Sequence, residues 1–120
     1  MRIHSCYDNG GETIDRYSVF FTERDREFYM CVGMSNYPDH PQGFCQWTSG
    51  IPGTHCGRKV RFSSLPGNIK VQVYGLMAYG EPIEPLYDEG GKLYEPTEAD
   101  YKSSEEHHNS NRMFYIIGGV

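Results

Sequence analysis

The 120-residue sequence predicts an α+β domain in which an antiparallel sheet of about four strands packs on one helix and an acidic C-terminal extension follows. Three observations predict it. Segments rich in Tyr, Val and Phe recur over the first 34 residues, separated by turn-forming and charged residues. Leu65, Ile69, Val73 and the pair Leu76/Met77 recur at helical spacing. The charge is split, with residues 1–80 holding eight Lys/Arg against seven Asp/Glu and residues 81–120 holding three against nine. The net charge of −5 therefore arises in the last third. Two parts are expected, a compact domain over 1–80 and an acidic extension over 81–120.

Each element has a local reason. Ile3–Tyr7 reads as a short strand that ends in Asp8-Asn9-Gly10-Gly11, a turn because Asn and Gly accept positive φ at little cost. Asp15–Thr22 places Val19 and Phe21 on one face and Ser18, Phe20 and Thr22 on the other, the period of a strand. Glu23–Arg26 is a charged turn, and Glu27–Met34 is the next strand of an antiparallel meander. Residues 35–57 carry Pro38, Pro41 and Pro52 with four Gly and are expected to be irregular. Arg58–Phe62 reads as a strand. Ser63 or Ser64 is expected to cap a helix that holds Pro66 in its first turn and ends at Gly80.

Glu81–Pro85 reads as a linker. Leu86-Tyr87-Asp88 and Lys92-Leu93-Tyr94 flank Glu89-Gly90-Gly91, so a small hairpin is expected over 86–94. Residues 97–112 are polar and acidic and are expected to be mobile. Residues 112–117 turn apolar again and are expected to add a strand.

No apolar leader follows Met1, and no apolar run reaches the roughly 20 residues that a membrane span needs. A soluble, cytoplasmic protein with no membrane partner is expected. Cys6, Cys31, Cys45 and Cys56 are irregularly spaced, and in that setting reduced thiols are expected, with no bound metal and no cofactor.

Five groups of residues are candidates for chemistry or binding. The Asp8–Gly11 turn is either a hairpin turn or an anion cradle built from backbone N–H groups, and it lacks the phosphate-loop pattern. Arg16, beside this acidic turn, is either an ion-pair anchor or a bidentate ligand for carboxylate or phosphate. The 35–57 loop offers Asn36, Asp39, His40, Gln42, Gln46, Trp47 and His55 as a recognition surface, with Phe44 and Trp47 anchoring it and His40 and Gln42 facing out. The enzymatic alternative uses His40 or His55 as acid–base groups and Cys45 or Cys56 as nucleophile, acting on a small polar substrate. Zinc held by His40, Cys45, His55 and Cys56 is a third reading, but the spacing matches no zinc pattern.

The cluster Arg58-Lys59-Val60-Arg61 either contacts phosphate or guards a sheet edge. Opposite it in sign stand Glu95, Glu98, Asp100, Glu105 and Glu106, which suit a host protein with a basic surface. The overall acidity disfavours direct binding of nucleic acid. His107-His108 reads as part of a solvated tail.

Taken in order, Tyr7-Asp8-Asn9-Gly10-Gly11, Asp15-Arg16-Tyr17, Ser35-Asn36-x-Pro38-x-x-Pro41-x-Gly43-Phe44-x-Gln46 and Gly57-Arg58-Lys59-Val60-x-Phe62-x-x-Leu65-Pro66 resemble a group of small, largely uncharacterised proteins of bacteria and their phages. The likeness covers the first 80 residues and leaves the acidic extension outside. It implies a bacterial or phage setting and, for a phage protein, action on host machinery. The expected function is that of a non-enzymatic phage-type accessory protein that binds and blocks a host protein, its acidic extension imitating nucleic-acid charge. A small enzyme and a dimeric small-ligand-binding protein are the alternatives.

Overall fold

The computed structural model describes residues 1–11, 16–22, 29–34, 45–78 and 85–106. The fold is α+β. Five strands, β1 (Arg2–Asp8), β2 (Tyr17–Thr22), β3 (Tyr29–Met34), β4 (Cys45–Ser49) and β5 (Arg58–Val60), form one sheet in the order β4-β3-β2-β1-β5. All neighbours are antiparallel. Helix α1 is Gly67–Ala78, preceded by a 3-10 turn over Phe62–Ser64.

The strand count corrects one expectation. β4 lies inside the segment read as irregular. Pro38, Pro41 and Pro52 stand outside it, which leaves Cys45–Ser49 as a run free of Pro and Gly with Trp47 and Thr48 well suited to a strand. Pairing with β3, from Met30↔Ser49 to Met34↔Cys45, turns this short run into a strand.

The period-2 pattern of β1 and β2 sorts their side chains onto two faces. One face carries Ile3, Cys6, Tyr17, Val19 and Phe21, and these pack with Phe62, Leu65, Ile69, Val73 and Leu86 into a single apolar core. Burying one such side chain contributes roughly 1.5–3 kcal/mol relative to leaving it exposed. A register shift between Ile3 and Ser5 marks a bulge in β1. The other face carries Tyr7, Ser18 and Phe20, with the Tyr7 and Phe20 rings edge to face at 5.7 Å.

Residues 50–57 cover this second face. β4 ends at Ser49, level with the Phe21/Ile3 end of the sheet, and β5 begins at Arg58, opposite Asp8 at the other end and the other edge. The segment must therefore run diagonally across the sheet as a strap. Gly50 passes over the Phe20 ring, Gly53 over the Tyr7 hydroxyl and Gly57 over the backbone of Asp8 and Asn9. A Cβ on Gly57 would lie 2.8 Å from Asn9 Cα and closer still to the Asp8 carbonyl oxygen, so only glycine fits there.

Helix α1 starts later than Ser63 or Ser64 would place it. The Pro66 carbonyl accepts from the Ile69 and Lys70 N–H groups, each at 3.0 Å, so Pro66 precedes the first turn. Ser64 Oγ instead donates to the Arg61 carbonyl at 2.7 Å and closes the 3-10 turn. The side-chain acceptor at the start of α1 comes from elsewhere in the chain: Ser103 Oγ accepts the Asn68 N–H at 3.1 Å. The expected end at Gly80 and the linker over 81–84 lie outside the described residues.

Residues 85–106 are part of the same body. The Met1 ammonium donates to the Pro85 carbonyl at 2.9 Å, and Tyr87 forms a parallel bridge with Arg2 of β1. Residues 86–94 fold back on themselves through an antiparallel Tyr87–Leu93 bridge and Asp88 N–H to Lys92 O and Tyr94 N–H to Leu86 O bonds, both 2.8 Å. Gly91 supplies the positive φ of the turn, +84°. Leu86 is fully buried in the core, and the Tyr94 ring meets Phe62 edge to face at 4.8 Å. Residues 98–106 form a second helix, α2. The mobility expected from residue 97 onward is thus corrected over 97–106, because polar anchors at Asp100 and Ser103 fix α2 to α1. The expected strand 112–117 and His107-His108 lie outside the described residues.

Candidate interaction site

Segment 85–106 sorts its seven carboxylates into two groups. Three face inward. Asp88 Oδ1 accepts the Gly90 and Lys92 N–H groups and shapes the hairpin turn. Glu89 Oε2 accepts the Phe62 N–H at 3.0 Å, and its backbone carbonyl accepts from Arg2 at 2.8 Å. Asp100, only 5% exposed, takes Lys70 Nζ on Oδ1 at 3.0 Å and the Tyr94 hydroxyl on Oδ2 at 2.9 Å. The other four, Glu95, Glu98, Glu105 and Glu106, are exposed.

Asp100, expected with Glu95, Glu98, Glu105 and Glu106 to meet a basic partner, is instead buried. It occupies the third position of α2, where it completes a capping box. The Asp100 N–H donates to Thr97 Oγ1 at 3.1 Å and the Thr97 N–H donates to Asp100 Oδ2 at 3.2 Å. Burial pushes the Asp100 carboxyl up, but hydrogen bonds from Thr97, Lys70 and Tyr94 and the Lys70 charge outweigh it and hold the group below its ordinary value. Burial, then the Asp100 hydrogen bond and charge, push the Tyr94 hydroxyl up, so it stays a donor.

The docking of α2 also depends on Gly67. A Cβ there would lie 2.9 Å from both Asp100 Cα and Ser103 Cβ, so glycine lets the two helices touch. With Asp100 and Ser103 turned inward, Glu98, Tyr101, Lys102 and Glu105 fall at helical spacing on the outward face. Tyr101 is 52% exposed, an aromatic surface among charges.

At the far end of β1 the motif residues converge on one another. Asp8 Oδ1 accepts the Gly10 N–H and Arg16 Nε, both at 2.9 Å, while another Arg16 nitrogen donates to the Gly11 carbonyl at 3.0 Å. The guanidinium lies 5.3 Å above the Tyr17 ring. Burial raises the Asp8 carboxyl, yet the Gly10 N–H, Arg16 and the Arg58 charge together hold it below its ordinary value. The chain's own carboxylate thus takes both the Gly10 N–H and Arg16. Asn9 ties the strap to this corner: its Nδ2 donates to Ser18 Oγ and its Oδ1 accepts the Gly57 N–H, each at 2.8 Å.

Of the candidates from the 35–57 segment, the structure describes the side chains of His55 and Cys56 and the backbone of Cys45, Gln46 and Trp47. Asn36, Asp39, His40, Gln42 and Phe44 lie outside the described residues. Cys45, Gln46 and Trp47 lie on β4, whose side chains fall outside the described part; Trp47 sits opposite Val32 in the row of Val19 and Cys6. His55 is exposed with φ +58°, and Cys56 is half-buried with Sγ 3.6 Å from the Thr54 carbonyl. Cys45 and Arg58 end the same cross-sheet row at opposite edges, four strand spacings or about 19 Å apart. This geometry sets Cys45 far from the His55-Cys56 pair. Cys6 and Cys56 are free thiols, and burial, then the Glu89 charge, push the Cys6 thiol up. Among the described residues no three His, Cys, Asp or Glu side chains gather as a metal site. Arg58 and Lys59 are exposed on β5.

No family model, no curated protein and no solved structure matches the chain. Among the described residues no helix is long and apolar enough to cross a membrane.

Proposed function

We propose that this chain is a non-enzymatic binding protein of phage type that occupies a basic surface of a host protein with the outward face of segment 85–106. One observation supports the reading above the others. The segment's carboxylates are divided, so that Asp88, Glu89 and Asp100 build the fold and Glu95, Glu98, Glu105 and Glu106 are left for solvent or a partner. A docked helix holds three of the four in fixed relative positions, which lowers the ordering cost of binding. Exposed Tyr101 among them suits a guanidinium or an aliphatic Lys stem. Charge arranged in this way imitates nucleic acid and speeds encounter with a basic groove.

The test is affinity capture from bacterial lysate on immobilised protein, eluted with a salt gradient, using wild type and the variant Glu95→Gln/Glu98→Gln/Glu105→Gln/Glu106→Gln. That variant reduces the charge of residues 85–106 from −5 to −1. A basic protein should be retained by wild type, elute as salt shortens the Debye length below its physiological value of about 8 Å, and be lost by the variant. Capture that is indifferent to both salt and the variant would overturn the proposal. All four side chains are exposed, so the variant should keep its stability within about 0.5 kcal/mol.

A further inference from the structure

The structure assigns Asn9-Gly10 as a latent deamidation site that the fold keeps unreacted by engaging both reacting groups. An Asn followed by Gly closes a succinimide readily, because glycine has no Cβ to hinder attack by its backbone nitrogen. In that step Gly10 N loses its proton to solvent base and bonds to Asn9 Cγ, and the Cγ–Nδ2 bond breaks as Nδ2 takes a proton from solvent and leaves as ammonia. Water then opens the ring at Cγ to give Asp, or at the main-chain carbonyl carbon to give isoaspartate. Nothing beyond water and solvent base is required.

Both partners of the reaction are held elsewhere. The nucleophile's N–H donates to Asp8 Oδ1 at 2.9 Å, and Asp8 is itself gripped by Arg16 at 2.9 Å. The electrophilic amide is pinned at both ends, by Ser18 Oγ at 2.8 Å and by the Gly57 N–H at 2.8 Å. The Asn9 N–H also donates to the Arg16 carbonyl at 2.9 Å, which fixes the backbone before the reacting pair. Ser18 is buried at 7% exposure, so its hydrogen bond is shielded from competing water. Attack requires the side chain to rotate out of two hydrogen bonds and the Gly10 N–H to leave a third.

Conversion would have an asymmetric result. Asp at position 9 keeps an oxygen for the Gly57 N–H. Isoaspartate adds a methylene to the backbone where Gly57 already packs so closely that a Cβ would stand 2.8 Å from Asn9 Cα. The isoaspartyl form should therefore unfasten the strap from the β1–β2 end of the sheet.

Peptide mapping by mass spectrometry during incubation at mildly alkaline pH tests this on the full chain. Native wild type should convert at Asn9 at least tenfold more slowly than the same chain in denaturant. Ser18→Ala should accelerate conversion severalfold under native conditions. Val73→Ala, a core change remote from the corner, separates local guarding from general loosening: it should destabilise the protein while leaving native conversion slow. Equal rates in native and denatured wild type would overturn the assignment. So would Ser18→Ala and Val73→Ala accelerating conversion only in proportion to lost global stability.

Discussion

The two faces of the sheet are closed by different physics. On one face, α1 and Leu86 bury large side chains, among them Phe21, Phe62, Ile69 and Val73, each no more than 1% exposed. On the other, a strap of backbone crosses Phe20 and Tyr7 and is fastened at Asn9 and Gly57. The first closure rests on apolar area, which is non-directional and tolerates small shifts. The second rests on close approach and on a few directed bonds, so it is sensitive to single atoms. A core is weakened by removing atoms, and the strap by adding them.

The largest effect should follow Phe62→Ala. Phe62 is 1% exposed and meets Tyr94 edge to face, so truncation leaves a cavity beneath the 85–94 hairpin. A loss of about 3–5 kcal/mol is expected from urea unfolding. A loss below about 1 kcal/mol would show that the hairpin collapses to fill the space.

Gly57→Ala should come next, at about 1–3 kcal/mol, because the new Cβ meets backbone at Asp8 and Asn9 and not the end of a flexible side chain. Gly75→Ala is the control. Among the described residues nothing lies within 4 Å of its Cβ position in mid-helix, so that substitution should be neutral or stabilising by up to about 1 kcal/mol. If both variants behave alike, close approach is not what fastens the strap.

Asp100→Asn probes the polar joint that fastens α2, and it should cost about 1–3 kcal/mol at neutral pH. The sign with pH follows from the direction of the shift. The folded carboxyl is held below the ordinary value of 3.8, so its contribution is present above that value and is lost as pH falls through the lower folded value. The stability gap between wild type and Asp100→Asn should therefore be constant near neutrality and narrow below about pH 4. A gap that stays unchanged down to pH 2.5 would show that the charge of Asp100 does not hold α2. The smallest effect belongs to the exposed Glu set, whose neutralisation should alter partner capture and leave unfolding almost unmoved.

How legible each part was follows from where its buried face comes from. β2 was readable from alternation, β1 and β3 from the turn and the charged segment that bound them, and α1 from Leu65, Ile69 and Val73, since apolar residues at a fixed period mark a core-facing side. α2 gave no such signal because the side it turns to the body is Asp100 and Ser103, both polar. Its start was nonetheless written in Thr97-Glu98-Ala99-Asp100, a capping box with acidic residues in the first turn. β4 was hidden among prolines, and five residues carry too short a pattern to reveal a strand without its partner.

By itself the sequence determined the α+β class, the meander, the core-facing helix and the concentration of negative charge after residue 80, because each is encoded in neighbouring residues. Only the tertiary structure decided that Asp100 is internal while Glu95, Glu98, Glu105 and Glu106 are external. The same holds for Gly57 and Gly67, which turn out to be contact points, and for the acidic segment, which shares the core through Leu86 and Tyr94. Those outcomes depend on residues 30 or more positions apart meeting in space, as Lys70 meets Asp100 and Asn68 meets Ser103. Local composition carries no record of such a meeting. A carboxylate reads the same in sequence whether it finds a lysine in the fold or only water.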